Sequence, residues 1–138
     1  MTAEQRYAAL AGADAAELEE LADAILATGA DISVTAGPES ISTPVRVAVP
    51  GCAETTVVLG HVALTRCTVE LGGTRGDGIR AGHDLTGAVA AAVCDAESQR
   101  RGPLAGRVEQ LCAAAERDRA ARAADRARLV AATGLDNS

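Results

Sequence analysis

The stretch from Thr55 to Leu71, TTVVLGHVALTRCTVEL, decides the fold because it has the pattern of one long β-strand. Its second half alternates polar with apolar residues, among them Cys67 and Val69, which is typical of a strand with one buried face. Its first half is apolar on both faces. Gly60 lies between the halves and predicts a bulge or a break at that point.

Two shorter segments upstream have the same alternation. They run from Ile32 to Ala36 and from Val45 to Val49. Gly37-Pro38 and Pro50-Gly51 follow them, and both pairs are predicted to end a strand because proline cannot donate a hydrogen bond to a sheet.

Downstream, Gly72 to Gly78 is predicted to be a turn-rich loop before a short strand, Ile79 to Ala81. All these connections are too short for crossover helices, so the strands are predicted to form an antiparallel meander. If the hairpin is centred on Arg75, Glu70 lies directly opposite Arg80.

Helix signals occupy both ends of the chain. Capping sequences that begin at Thr2 and Asp14 predict two N-terminal helices. A third helix is predicted to start at Asp84, and a fourth follows Pro103. The sequence therefore predicts a single domain, residues 1–138, of the α+β class: an antiparallel sheet of about four strands with two N-terminal and two C-terminal helices.

Composition excludes several classes of partner. The net charge is −6, which disfavours nucleic acid because the phosphate backbone needs a positive field. No segment has the roughly 18 consecutive apolar residues of a membrane helix, and the first residues lack the pattern of a signal peptide, so a cytoplasmic location is expected. The 4 cysteines include no closely spaced pair, which predicts buried thiols rather than a zinc site.

Several motifs, in order along the chain, resemble one known family. Leu59 to Leu71, LGHVALTRCTVEL, resembles the central strand motif of the G subunit of the bacterial carbon–phosphorus lyase system. Gly78 to Asp84, GIRAGHD, followed by an Ala-rich helix, is similar to that family's Gly-Arg-Asp turn and the helix after it. The N-terminal helices and the Arg-rich helix that ends in Ala131-Ala132-Thr133 also match, so the resemblance covers nearly the whole chain.

The resemblance implies a function within a complex. A subunit of this family acts with H-, I- and L-type partners, which together displace adenine from ATP with an alkylphosphonate and give a ribose 1-alkylphosphonate 5-triphosphate. The I-type partner is regarded as the nucleosidase. ATP is thus a substrate of the complex, the G-type chain has no cofactor of its own, and no catalytic residue follows for it.

The sequence departs from the family pattern at two places. His83 stands where the family has Arg, and the residues from Gly134 to Ser138 stand where the family continues into an aromatic tail. These departures affect an anion contact and a segment for docking a partner. They favour an alternative function: a free-standing homo-oligomer of the same fold, such as a homodimer, that binds or scaffolds without catalysis.

Four residues are candidates for contact with an anion or a partner: Arg66, Arg80, His83 and Asp84. Together with Arg46, the arginines could share the outward face of the sheet and hold a phosphonate or triphosphate. The competing interpretation is an ion pair between Arg80 and the residue opposite it.

His83 and Asp84 lie where a strand leads into a helix. A helix N-terminus attracts anions, and His83 would add a proton-dependent charge there. The simpler interpretation of Asp84 is the N-cap of that helix. Cys67 paired with a histidine is a further hypothesis for a nucleophile, opposed by its predicted position in the core.

The last helix carries a basic face. Arg119, Arg122 and Arg126 lie on one side of it. Such a run is either a solvated face or a surface that docks onto an acidic partner.

Overall fold

A computed structural model describes residues 1–48 and 56–136; of residues 47, 48, 59 and 133–136 only the backbone is described. These residues form four helices and three strands. The elements, in chain order, are α1 (Ala3–Ala11), α2 (Ala15–Leu26), β1 (Ile32–Ala48), β2 (Thr56–Leu71), β3 (Thr74–Ala81), α3 (Leu85–Gln99) and α4 (Ala105–Asp136).

The strands form one antiparallel sheet in the order β1-β2-β3, so the predicted α+β class with two helices at each end of the chain is confirmed. The two upstream segments that were predicted as separate strands are parts of the continuous strand β1. Gly37-Pro38 does not end the strand. It causes a shift of register between Ala36 and Glu39, so the prediction of a break there was wrong. Val49 and Pro50-Gly51 lie outside the described residues.

The predicted irregularity at Gly60 is a bulge in β2. Val45 lies opposite Gly60, and the next residue, Arg46, lies opposite Val58. Leu59 is therefore an extra residue in β2, as in a β-bulge. Beyond this point β2 continues as one strand.

The hairpin between β2 and β3 is tighter than predicted. Leu71 pairs with Thr74, so the turn consists of Gly72 and Gly73 alone, which have φ values of 56° and 84°. Two positive φ angles in a two-residue loop match the twist of antiparallel strands. The centre predicted at Arg75 was wrong, and most of the predicted glycine loop belongs to β3.

Two glycines of β3 let α3 lie directly on the sheet. A Cβ atom at Gly76 would lie 2.6 Å from Ala96 Cβ, and one at Gly78 would lie 2.8 Å from Ala91 Cβ. Both distances are shorter than real contacts, so only glycine fits. Close packing of the small side chains of α3 on these glycines thus builds a core in a chain that has no Phe or Trp and a single Tyr.

The core lies between this face of the sheet and the helices. Cys67, Val69 and Leu71 of β2 are buried there, as their alternation predicted. The predicted caps are also present: Thr2 and Gln5 form a capping box at α1, and Asp14 accepts a hydrogen bond from the Glu17 N–H at α2. Within the described residues, no helix combines the length and the apolar character needed to cross a membrane.

Candidate functional site

The buried side chain of Arg80, on β3, forms hydrogen bonds with the end of α1 and with the N-cap of α3. Its side chain lies on the helix-facing side of β3 and is 9% exposed. The Nη1 group donates to the carbonyl oxygens of Leu10, Ala11 and Ala13 at 3.0, 3.1 and 2.7 Å, and Nε donates to Asp84 Oδ2 at 3.1 Å. These carbonyls lie at the C-terminal end of α1, where helices leave acceptors without partners and favour a positive charge.

Arg66 and Arg80 lie on opposite faces of the sheet. Residues directly opposite each other in an antiparallel pair share a face; Arg80 lies opposite the buried Thr65, and Arg66 lies opposite Ile79 on the other side. The prediction that these arginines share the outward face of the sheet was therefore wrong. The reason is that the arginine of β3 completes the end of α1 instead of facing solvent.

The predicted ion pair between Glu70 and Arg80 was wrong for a related reason. Because the turn contains two residues, Glu70 lies opposite Arg75. On the outer face Arg66 Nε donates to Glu39 Oε1 at 2.9 Å, and both side chains are more than half exposed.

A directed chain of hydrogen bonds links His83 to the core. Thr65 uses its single hydroxyl proton for the Gly82 carbonyl at 2.6 Å, so the contact of 3.2 Å with Ser40 must be donated by Ser40. Ser40 then has no proton left for His83 Nδ1 at 3.0 Å, and His83 must be the donor. The contacts therefore assign the imidazole proton to Nδ1. Nε2 takes no part in this chain of hydrogen bonds.

Asp84 has the predicted role of N-cap of α3. Its Oδ1 accepts from the Gly87 N–H at 2.9 Å, while its own N–H donates to Thr65 Oγ1 at 3.1 Å. The structure thus brings Arg80, His83 and Asp84 together and leaves Arg66 on the other face. Ser40 and Thr65 were missed, because a hydroxyl in a strand carries no sequence signal for its distant partner.

Asp95 is a second polar centre that the sequence did not reveal. It accepts from Arg6 Nε at 2.7 Å, from the Asp77 N–H at 2.9 Å and from Gln99 Nε2 at 2.9 Å. The bond to Asp77 satisfies a backbone donor on the edge strand β3, and the bond to Arg6 attaches α1 to α3. Only the i, i+4 pair with Gln99 could have been expected from spacing.

An open groove of about 610 Å³ lies beside this centre, between α1 and the sheet. Its two arginines, Arg66 and Arg75, are each paired with a carboxylate, and four carboxylates line it in all: Glu4, Glu39, Asp77 and Asp95. With Arg6 on Asp95, three arginines face these four carboxylates, and each arginine is already paired. The groove is therefore a poor site for a phosphonate or a triphosphate.

The described cysteines are not suited to nucleophilic catalysis. Burial raises the pKa of the Cys67 thiol, and it raises the pKa of Cys94 to about 12 and that of Cys112 to about 11. A thiol that stays protonated at neutral pH is a weak nucleophile. In the described part of the chain, no group of three or more His, Cys, Asp or Glu side chains could hold a metal ion.

Thiol labelling checks this assignment. In a Cys52→Ser variant, we expect the native protein to react with less than about 0.1 equivalent of dithionitrobenzoate at pH 8, because the buried thiols are shielded and protonated. After unfolding in urea, all three remaining cysteines should react. Rapid labelling of native Cys67, which is 3% exposed, would contradict the assignment.

The most distinctive surface is an apolar face on a projecting part of the sheet. β3 pairs with β2 only from Leu64 onwards, so the part of β2 before Leu64 pairs with β1 alone and forms a two-stranded ribbon. Val57 and Val62 of β2 are 44% and 45% exposed. The apolar residues of the face that continues from Arg66, here called the ribbon patch, are Ile41, Val45, Val57, Val62 and Leu64.

The fold and these sites define a small α+β protein with structural ion pairs, shielded thiols and an exposed apolar face. The family model described as phosphonate metabolism protein PhnG matches residues 2–137, and the chain belongs to the PhnG family. It is therefore a phosphonate-metabolism protein. No curated protein matches the chain.

Proposed function

We propose that this chain is a non-catalytic subunit of a complex that converts ATP and an alkylphosphonate to a ribose 1-alkylphosphonate 5-triphosphate and adenine. Its partners in this proposal are an I-type nucleosidase subunit and the H- and L-type subunits of the carbon–phosphorus lyase system. A cytoplasmic location is part of the proposal. Membership of the PhnG family supports the pathway, and the surface supports the role of a subunit.

The ribbon patch is the observation that carries the proposal. An isolated two-stranded ribbon is only marginally stable in water, and this one exposes valine side chains on a face that nothing in the described chain covers. Contiguous apolar patches on a protein surface mark sites of association, and the residues of the ribbon patch are neighbours on one face of the two strands. A partner that covers the patch would stabilise the ribbon and contribute the apolar area that this aromatic-poor chain lacks.

The candidate contact residues divide into two roles within this proposal. Arg66 and His83 are exposed and can reach a partner or an anion. Arg80 and Asp84 are committed to internal hydrogen bonds, so they position His83 by fixing the turn that carries it. A direct anion contact by His83 would use Nε2, because Nδ1 donates to Ser40.

Reconstitution of the reaction tests the proposal. Adenine release from ATP and methylphosphonate is measured with the I-, H- and L-type subunits, with and without this chain. We expect release to need the chain and to fall at least about tenfold with Val57→Asp/Val62→Asp, because a buried carboxylate without a partner costs several kcal/mol.

The matched control changes the opposite face of the same ribbon. Val58, which is 48% exposed, and the exposed His61 lie beside the two test positions but point to the other side. Val58→Asp/His61→Asp should keep adenine release within about twofold of the unsubstituted chain. Equal loss in both variants, or release that does not depend on the chain, would contradict the proposal.

A further inference from the structure

The C-terminal half of α4 projects from the body as an arm, here defined as residues 117–132. All of its side chains are exposed, and at 1.5 Å per residue the arm is about 24 Å long. In the first half of α4, one face is buried and contains Val108, Cys112 and Ala115. With the 3.6-residue period of a helix, the same face continues along the arm as Arg119, Arg122, Arg126 and Val130.

This arm face is basic and has no acidic partner in the described part of its own chain. No ion pair there involves Arg119, Arg122 or Arg126. The ion pair within the arm joins Arg128 to Asp125, away from this face. Two such arms cannot pair through these faces, since like charges repel. An acidic surface would complement this face.

A groove with acidic residues along one side lies between α2 and α3. This groove of about 370 Å³ has apolar walls that include Leu26, Leu85 and Val89, and Glu19 and Asp23 lie along its α2 side. Tyr7 to Val45, the stretch that contains α2, has no basic residue. This end of the protein is thus the electrostatic complement of the arm.

The spacing of the charges also matches. Glu19 and Asp23 are four residues apart on α2, and Arg122 and Arg126 are four residues apart on α4, which places both pairs about 6 Å apart along their helices. Beyond the second charge of each pair, about one turn further on, comes an exposed apolar residue: Leu26 on α2 and Val130, 72% exposed, on the arm.

We infer that the arm of one copy docks into the α2–α3 groove of a second copy, and that the exchange is reciprocal. In a parallel alignment, Arg122 meets Glu19, Arg126 meets Asp23, and Val130 covers the apolar end of the groove near Leu26. Among the described residues, none of α4 lines the groove of its own chain. Arg119 and Arg122 lie beside Ala8, Ala9 and Gly12 at the end of α1, and the helix runs on from there.

Measuring the mass of the chain and of charge-reversal variants in solution tests this inference. By light scattering at about 50 µM, the purified chain should have about twice its mass of 13.9 kDa. Arg122→Glu/Arg126→Glu should raise the dissociation constant of the dimer at least about 100-fold, because each charge would face a like charge. Mixing this variant with a Glu19→Arg/Asp23→Arg chain should restore a dimer with one chain of each kind.

A control with the same change of charge uses the opposite side of the arm. Arg117 and Arg128 point away from the basic face, so Arg117→Glu/Arg128→Glu should leave the dimer intact. The inference is overturned if the unsubstituted chain is a monomer. This holds also if the arm of that monomer binds a different protein. It is also overturned if Arg122→Glu/Arg126→Glu still dimerises, or if two variants with native circular dichroism fail to combine.

Discussion

Replacing Arg80 by methionine is expected to lower the free energy of unfolding by about 3–5 kcal/mol, because it leaves buried carbonyl oxygens without a donor and breaks a partly buried ion pair. Methionine keeps much of the length of the side chain but cannot donate to the three carbonyls at the end of α1. It also leaves Asp84 Oδ2 without its partner. For a small domain this is a large part of the total stability, and urea unfolding followed by circular dichroism measures it.

Arg66→Met is the matched control for that measurement. Arg66 is on the neighbouring strand and forms an ion pair of similar length with Glu39, but both side chains are largely exposed. Exposed pairs contribute little, so a loss below about 1 kcal/mol is expected. If both variants lost the same free energy of unfolding, the buried hydrogen bonds of Arg80 would not have the stabilising role described above.

Gly78→Ala is expected to cost at least about 2–3 kcal/mol, the cost of overpacking a core. The new Cβ would press on the backbone of Ala92 and on Ala91 Cβ, and a helix backbone cannot turn aside as a side chain can. α3 would have to move away from the sheet, which disturbs the whole small-residue interface. The midpoint of urea unfolding should therefore fall sharply.

Gly60→Ala provides the comparison for this prediction. Gly60 is also a strand glycine, but a Cβ there would have nothing within 4 Å, and its φ is not in the left-handed region. A change within about 0.5 kcal/mol is expected. If Gly78→Ala were as mild as Gly60→Ala, the close approach of α3 to β3 would be wrong.

Local signals were sufficient for the helices and for the buried side of β2. The caps at Thr2 and Asp14 are contacts between residues three apart, and the alternation from Cys67 to Leu71 directly reflects one buried face. The hairpin was mispredicted because a glycine is ambiguous in sequence. Gly72 and Gly73 provide positive φ, whereas Gly78 provides room for a helix that comes later in the chain.

The candidate site was less predictable because its contacts join distant segments. Arg80 reaches carbonyls about 70 residues earlier, and Arg6 meets Asp95 across 89 residues. No local spacing encodes these pairs. The structure explains why the first half of β2 is apolar on both faces. One of those faces is the exposed ribbon patch, and an apolar sequence is expected there if the patch is buried only in an assembly.

Co-expression with an I-type subunit from the same source, followed by affinity purification and native mass measurement, is the most direct test of the role as a subunit. We predict a defined complex that contains both chains, that is lost with Val57→Asp/Val62→Asp and that is kept with Val58→Asp/His61→Asp. The account would be contradicted if the chain did not co-purify with the I-type subunit. It would also be contradicted if Val57→Asp/Val62→Asp left the complex intact.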